Sequence, residues 1–522
     1  MAISSIFNDV IGPVMRGPSS SHSAAACRIG LLLRDLISAE ISDVVIDYDP
    51  NGSLVTTHES QGTDMGLYGG LLGWQADDER MMKYRQGIAD SGIKIQVNYL
   101  DYGALHPNTY RIKIANEHSQ HSMTAISTGG GMIEVQEIDG AAVEIYGDFH
   151  ELLVFGNSGN DWQTLEQALP DGLEYDFIER HQSDRCFIEL KSRHSFSQTE
   201  ISHIESSEGI SCVRYLQPVL PVLSRKHVEV PFLYCDELLA MGHAEDLELW
   251  QLAVRYESAR GDIPEDEVLE RMRAIVRTMD NSIQAGLRGT QYDDRILPCQ
   301  SVGFRECMQA DTLLKSDLLN TIVMYVSAMM EVKSSLGVIV AAPTAGSCGA
   351  LPGSLLGAAK VMDKSEDDVV KAMLAAGVIG IFISEHSSFA AEVGGCQAEC
   401  GAGSSMAAAG LVTLAGGTLQ QAITAASLAL QNSLGMICDP IGNRVEAPCL
   451  GRNVMAASNA VSCTNMALAS YDPVVTFDEV VATHFSVGKS ISHELRCTAL
   501  GGLSITDSSK QVEARLLKFK SC

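Results

Sequence analysis

Pro-Glu-Asp-Glu-Val-Leu-Glu-Arg-Met-Arg-Ala-Ile-Val-Arg-Thr-Met-Asp-Asn-Ser-Ile-Gln-Ala-Gly, residues 264–286, decides the fold of the larger part of the chain. Leu269, Met272, Val276, Met279 and Ile283 recur at steps of three and four, which puts them on one face of a helix. Pro264 and the acidic residues 265–267 supply a start signal, and Gly286 supplies a stop. Past Pro231 strand signals almost vanish, and further helices are predicted over 236–258, 316–334, 353–362, 367–383, 403–414, 418–433, 453–468, 477–487 and 507–518. Residues 225–522 therefore read as an all-α domain, large enough to bury its middle helices completely.

Upstream the pattern changes. Ile93, Ile95, Val97 and Tyr99 alternate with polar neighbours, as do Tyr110, Ile112 and Ile114, and Met132 to Ile138 adds another strand-like run. With a helix over 23–37, residues 1–146 read as an α+β domain with a mostly antiparallel sheet. Residues 147–224 give strand 152–155, helix 162–169, strands 175–178 and 186–190, helix 197–204 and strand 212–216. That β-α-β-β-α-β order is the ferredoxin-like plan, and it resembles an ACT domain, a module that often binds amino acids and regulates an attached enzyme. The chain is thus multidomain.

Lys+Arg of 37 against Asp+Glu of 65 gives a formal charge of −28, which argues against nucleic acid or an anionic membrane as a partner. The apolar run 372–383 is too short to span a bilayer and reads as a buried helix. The first residues lack a basic, apolar leader, and fourteen scattered cysteines point to reduced thiols, so a cytoplasmic location is expected.

Three cysteines stand in apolar, glycine-rich surroundings: Cys396 in Gly-Gly-Cys-Gln-Ala-Glu, Cys438 in Ile-Cys-Asp-Pro and Cys449 in Ala-Pro-Cys-Leu. Thiolates brought together suit an iron-sulfur or zinc site. The spacing matches no short local signature, so by itself it favours buried structural thiols. Gly17 to Ser23, Gly-Pro-Ser-Ser-Ser-His-Ser, precedes a helix and can aim hydroxyls and N–H groups at a carboxylate, or serve as an ordinary N-cap.

Ala-Pro-Thr-Ala-Gly-Ser-Cys-Gly (342–349), Ala-Glu-Val-Gly-Gly-Cys-Gln-Ala-Glu (391–399), Cys-Asp-Pro-Ile-Gly (438–442) and Ala-Pro-Cys (447–449) closely resemble the catalytic domain of iron-sulfur-dependent L-serine dehydratases. The 17–23 stretch resembles the signature of that family's N-terminal domain. The resemblance implies a fused, single-chain enzyme that binds a 4Fe-4S cluster through Cys396, Cys438 and Cys449, takes a small amino acid as substrate and forms a homodimer. It implies substrate contacts from Ser19, Ser20, Ser21, His22, Thr63, Asn108, Thr344 and Ser347. It also implies that the C-terminal Cys522, whose carboxylate and thiol mimic serine, occupies the open iron when substrate is absent.

Two departures bear on mechanism. Where the family usually reads Gly-His-Gly-Thr-Asp, with its histidine a favoured base, this chain has Gln61, which has no titratable proton. His106 or His58 is then expected to carry the proton transfer. Cys400 replaces the family's usual valine or isoleucine, and reads either as a packing thiol or as a change in the ligand set. The rival cofactor, pyridoxal phosphate, needs a lysine; none lies between Ala372 and Gly488, and Lys333 or Lys360 outside that stretch would have to supply it. The expected reaction is dehydration and deamination of L-serine to pyruvate and ammonia. β-Elimination on L-cysteine or L-threonine, and a non-catalytic amino-acid sensor, are the alternatives.

Overall fold

The computed structural model describes residues 3–157, 162–183, 185–223 and 229–520. By contacts the chain divides into two compact units, Ser21–Thr128 with Met132–Ser224, and Met1–Ser20 with Gly129–Gly131 and Arg225–Cys522.

The first unit holds two sheets. The larger has six strands in the order Lys94–Tyr99, Asp43–Tyr48, Thr109–Ala115, Gln120–Gly129, Met132–Ile138 and Ala141–Ile145. Its one parallel pairing among those described joins Asp43–Tyr48 to Lys94–Tyr99. The smaller sheet runs His150–Gly156, Phe177–Gln182, Cys186–Ser192 and Ile210–Leu216, with His150–Gly156 between the last and third strands, all antiparallel. With helices Trp162–Gln167 and Gln198–Glu205 between strands, this is the ferredoxin-like topology.

Strand alternation divides the burial of that smaller sheet. Leu153 and Phe155 join the core of the large sheet, while Leu152 and Val154 face the two helices. Under the six-stranded sheet, helices Ala25–Ile37 and Thr63–Leu71 pack backbone to backbone. A Cβ on Gly66 would stand 1.9 Å from Ser23 O, and one on Gly70 would stand 2.2 Å from Cys27 O.

In the second unit the quoted stretch forms the helix Glu265–Leu287, with Val268, Met272, Val276, Met279 and Ile283 buried. The expected helix over 236–258 is two helices, Cys235–Glu245 and Leu249–Gly261. Asp246 turns left-handed at φ 54°, and Glu248 begins a new capping box, so the apolar pattern continues across a break. The Glu366–His386 helix has the length and composition to cross a membrane, but 78% of its most apolar window is buried inside the fold.

Residues 3–20 thread into this helical unit. Ile6 N–H donates to Glu257 Oε2 at 2.7 Å, Tyr256 OH donates to Ser4 O at 2.9 Å, and Val14 and Met15 pair with Val340 and Ile339. The segment ends at Ser20, whose Oγ accepts from Ala345 N at 3.4 Å. The chain's start is thereby brought to the Thr344–Ser347 turn.

Candidate metal centre and active site

Buried Gln397 holds the turn that carries Cys396. Its N–H donates to Met436 O at 3.0 Å, its Nε2 to His484 O at 2.6 Å, and its Oε1 accepts from Gly435 N at 2.8 Å. Gly395, at φ 71°, passes so close to Met436 that a Cβ there would stand 2.7 Å from its carbonyl oxygen. Cys438 enters on an irregular segment, with its N–H donating to Leu495 O at 2.8 Å. Cys449 opens the helix Cys449–Leu468.

Asn453, one turn into that helix, is fully buried and saturated. Its Oδ1 accepts from Gly349 N at 3.1 Å and Ala350 N at 3.0 Å, and its Nδ2 donates to Gly346 O and Cys449 O, both at 2.9 Å. This one side chain therefore fixes the Pro343–Gly349 turn against the start of the cysteine-bearing helix.

The Cys396 and Cys438 sulfurs and the Glu399 carboxylate lie within 4.8 Å of one another. Cys396, Cys438 and Cys449 are 1%, 3% and 2% exposed, and none is in a disulfide. Arg452 Nη1 donates to Cys396 Sγ at 3.3 Å, while its Nη2 pairs with Asp439. Hydrogen bonding to Cys396 and Cys497, with burial, holds the Cys438 thiol well above its ordinary range, and burial does the same to Cys449. Thiols so placed give up their protons when a cation is present to take the charge. Thr344 Oγ1 donates to Glu399 Oε1 at 2.7 Å, and burial pushes that carboxyl up to about 7.

Ser347 caps the same turn through Thr344, so Ser20, Thr344 and Ser347 share one neighbourhood. Ser19 lies in the same unit, and Cys522 lies outside the described residues. Cys400 packs against Ala350 and Ala456, with Asn453 Nδ2 3.7 Å from its sulfur.

The other sequence candidates meet within the sheet-bearing unit. His22 Nε2 lies 3.0 Å from Thr57 Oγ1 and its Nδ1 3.2 Å from Ser21 Oγ. Thr57 Oγ1 donates to Ser53 O at 2.7 Å, Ser53 Oγ donates to Asn108 Oδ1, and Asn108 N–H donates to His106 Nδ1 at 3.1 Å. Asp49 Oδ2 steadies the His106 loop by accepting from Tyr102 N at 3.2 Å and Ala104 N at 3.0 Å.

His58 stands beside this chain of bonds, its Nδ1 2.8 Å from Asp64 Oδ1 and its Nε2 2.8 Å from Tyr99 OH. A carboxylate at Nδ1 fixes that nitrogen as the donor and leaves Nε2 basic. Gln61 is buried, with its N–H donating to Thr57 O at 2.8 Å and its carbonyl accepting from Ser23 Oγ at 3.2 Å. Thr63 is buried at the start of the helix Thr63–Leu71.

Sequence reasoning missed Glu399, Arg452, Asn453 and Cys497 as parts of the centre. Glu399 stood inside a quoted motif, but only the fold brings the other three to it.

Buried thiols gathered on helix ends and glycine turns, with a carboxylate and an arginine among them, form a candidate metal centre in a helical fold. The family model described as serine dehydratase alpha chain matches residues 244–504, half of the chain, and the protein belongs to that family. The L-serine dehydratase alpha chain of Peptoniphilus asaccharolyticus is 33% identical over 54% of this chain and 97% of its own length. The L-serine dehydratase of Helicobacter pylori (strain ATCC 700392 / 26695) is 25% identical over 94% of this chain and 96% of its own, so that similarity runs through both units. L-Serine dehydratase 1 of Escherichia coli K12 is 32% identical over 53% of this chain and 62% of its own.

Proposed function

We propose that the protein converts L-serine to pyruvate and ammonia at a 4Fe-4S cluster held by Cys396, Cys438 and Cys449. The observation that carries this reading is the convergence of two buried thiols and a carboxylate within 4.8 Å, next to the helix that Cys449 opens. The donor set fits: buried thiolates suit iron-sulfur chemistry, and the Arg452 guanidinium on Cys396 offsets the charge they gather. When bound, such a cluster supplies a Lewis-acidic position for a substrate hydroxyl.

The chain's own residues divide the remaining work. Thr344 and Ser347 are placed to orient a carboxylate or hydroxyl, and Glu399, steadied by Thr344, to hold a proton near the centre. His58 is one candidate base, its Nδ1 2.8 Å from Asp64 Oδ1 and its Nε2 2.8 Å from Tyr99 OH. His106 is the second candidate, and its Nδ1 is already engaged by Asn108 N–H. Removal of the α-proton with loss of the β-hydroxyl as water leaves aminoacrylate, which tautomerises and hydrolyses to pyruvate and ammonia.

The same reading assigns residues 1–146 as the β-type domain, 147–224 as an ACT-type regulatory domain and 225–522 as the catalytic alpha-type domain of a cytoplasmic homodimer. Gln61, at the position of the family's histidine, favours testing other β-substituted amino acids beside serine. The experiment is oxygen-free purification followed by assay of 2-oxoacid release from L-serine, L-threonine and L-cysteine. Rapid pyruvate formation from serine, lost in His58→Ala, supports the proposal. A chain that binds serine and does not consume it would make it a sensor instead.

A further inference from the structure

We infer that Ser387 is an activated nucleophile, with His484 as its base, and that it takes an activated ester or phosphonate as its electrophile. Neither residue belongs to the set assigned to dehydration, and the inference does not rest on the metal centre.

Ser387 follows the end of the helix Glu366–His386, and His484 stands in the helix Phe477–Ser490. Ser387 Oγ lies 2.7 Å from His484 Nδ1, and His484 Nε2 lies 3.1 Å from Gln397 O. A carbonyl oxygen only accepts, so the ring proton sits on Nε2. Nδ1 is then a lone pair that receives the Ser387 hydroxyl. Gln397 Nε2 donates back to His484 O at 2.6 Å, so one residue grips both the ring and the backbone of the histidine. His484 is 1% exposed, and burial lowers its imidazole below the ordinary range, which keeps that lone pair free at neutral pH.

A hydroxyl, a base within hydrogen-bond reach and a third group that orients the base are the parts that nucleophilic catalysis requires. Here they come from three segments of the helical unit. The serine is held from its own side as well. His386 Nε2 donates to Leu233 O at 2.9 Å and its ring stacks on Tyr234, with centroids 4.4 Å apart. Ser388 Oγ accepts from Ala390 N at 3.1 Å. Ser387 is half-buried whereas His484 is sealed, so solvent reaches the nucleophile and not its base. The N–H groups of Ser388 and Phe389, next along the chain, donate to no group among the described residues, and an oxyanion needs such donors.

In the step, Ser387 Oγ bonds to the electrophilic carbon or phosphorus as its proton passes to His484 Nδ1. The bond to the leaving group breaks, and that group departs with the electron pair, as phenolate from an aryl ester or fluoride from a fluorophosphonate.

The test treats the full chain, purified without oxygen, with a fluorophosphonate, and follows the intact mass and the modified peptide. One adduct on Ser387 is expected, absent in S387A and present in S388A. H484Q offers Gln397 O a donor and the serine an acceptor but takes no proton, and it should label about a hundredfold more slowly. Wild type unfolded in urea should not label, which keeps the test decisive if H484Q does not fold. No adduct on folded wild type, an adduct on a serine other than Ser387, equal labelling of H484Q, or equal labelling of the unfolded chain would each overturn the inference. Pyruvate formation is not the readout, so the outcome stands apart from that of the proposed dehydration.

Discussion

Arg452 touches the Cys396 sulfur with one nitrogen and Asp439 with another, so its charge is fixed beside the thiol. Replacing it with glutamine keeps a donor and removes the cation. Arg452→Gln should therefore lower iron retention by about tenfold or more, read as iron per chain after gel filtration. His22 offers a second prediction. Burial lowers its imidazole from the ordinary 6.5 to about 4. Above pH 6.5 both folded and unfolded forms are neutral and stability is full. Between 6.5 and 4 the unfolded chain takes a proton that the folded one refuses, so stability falls by about 3 kcal/mol as the pH drops. Urea unfolding of wild type and His22→Gln across that range should show a flatter slope in the variant. An equal slope in both would remove His22 as the cause. The three cysteines were legible at this scale from their neighbours in sequence, while Cys497 was not, since its partner Cys438 lies far away along the chain.

Between elements, glycine decides how closely the Ala25–Ile37 and Thr63–Leu71 helices approach. A methyl group at Gly66 would meet Ser23 O, which is backbone and cannot swing aside. Gly66→Ala should cost about 3 kcal/mol in chemical denaturation, and a cost near zero would mean that the helices are free to part. The helices of the second unit were legible because an apolar stripe and its caps are local signals. Glu265–Leu287 falls within a residue of its expected bounds. The break at Asp246 was hidden, because a left-handed residue between two helices leaves the apolar spacing nearly intact. Helix Gln300–Gln309, with one buried residue in its span, had no stripe to read. Nor did periodicity mark strands such as Asp43–Tyr48, where burial runs through consecutive residues.

At the scale of the whole molecule, two sets of candidate residues lie in two units. The sheet-bearing unit holds His22, His58, His106 and Asn108, and the helical unit holds the thiols with Glu399 and Thr344. That residues 3–20 belong to the helical unit had no signature in sequence, since it depends on Glu257 and the Ile339–Val340 strand. Similarity to the L-serine dehydratase of Helicobacter pylori runs through both units. The central claim is that Cys396, Cys438 and Cys449 together bind an iron-sulfur cluster. The most direct measurement is iron and acid-labile sulfide per chain, taken without oxygen on wild type and on the three single serine variants. Iron and sulfide in near-equal amounts in wild type, and their loss in each variant, is the result predicted. Sulfide absent from wild type, or retained in full by any of the variants, would contradict it.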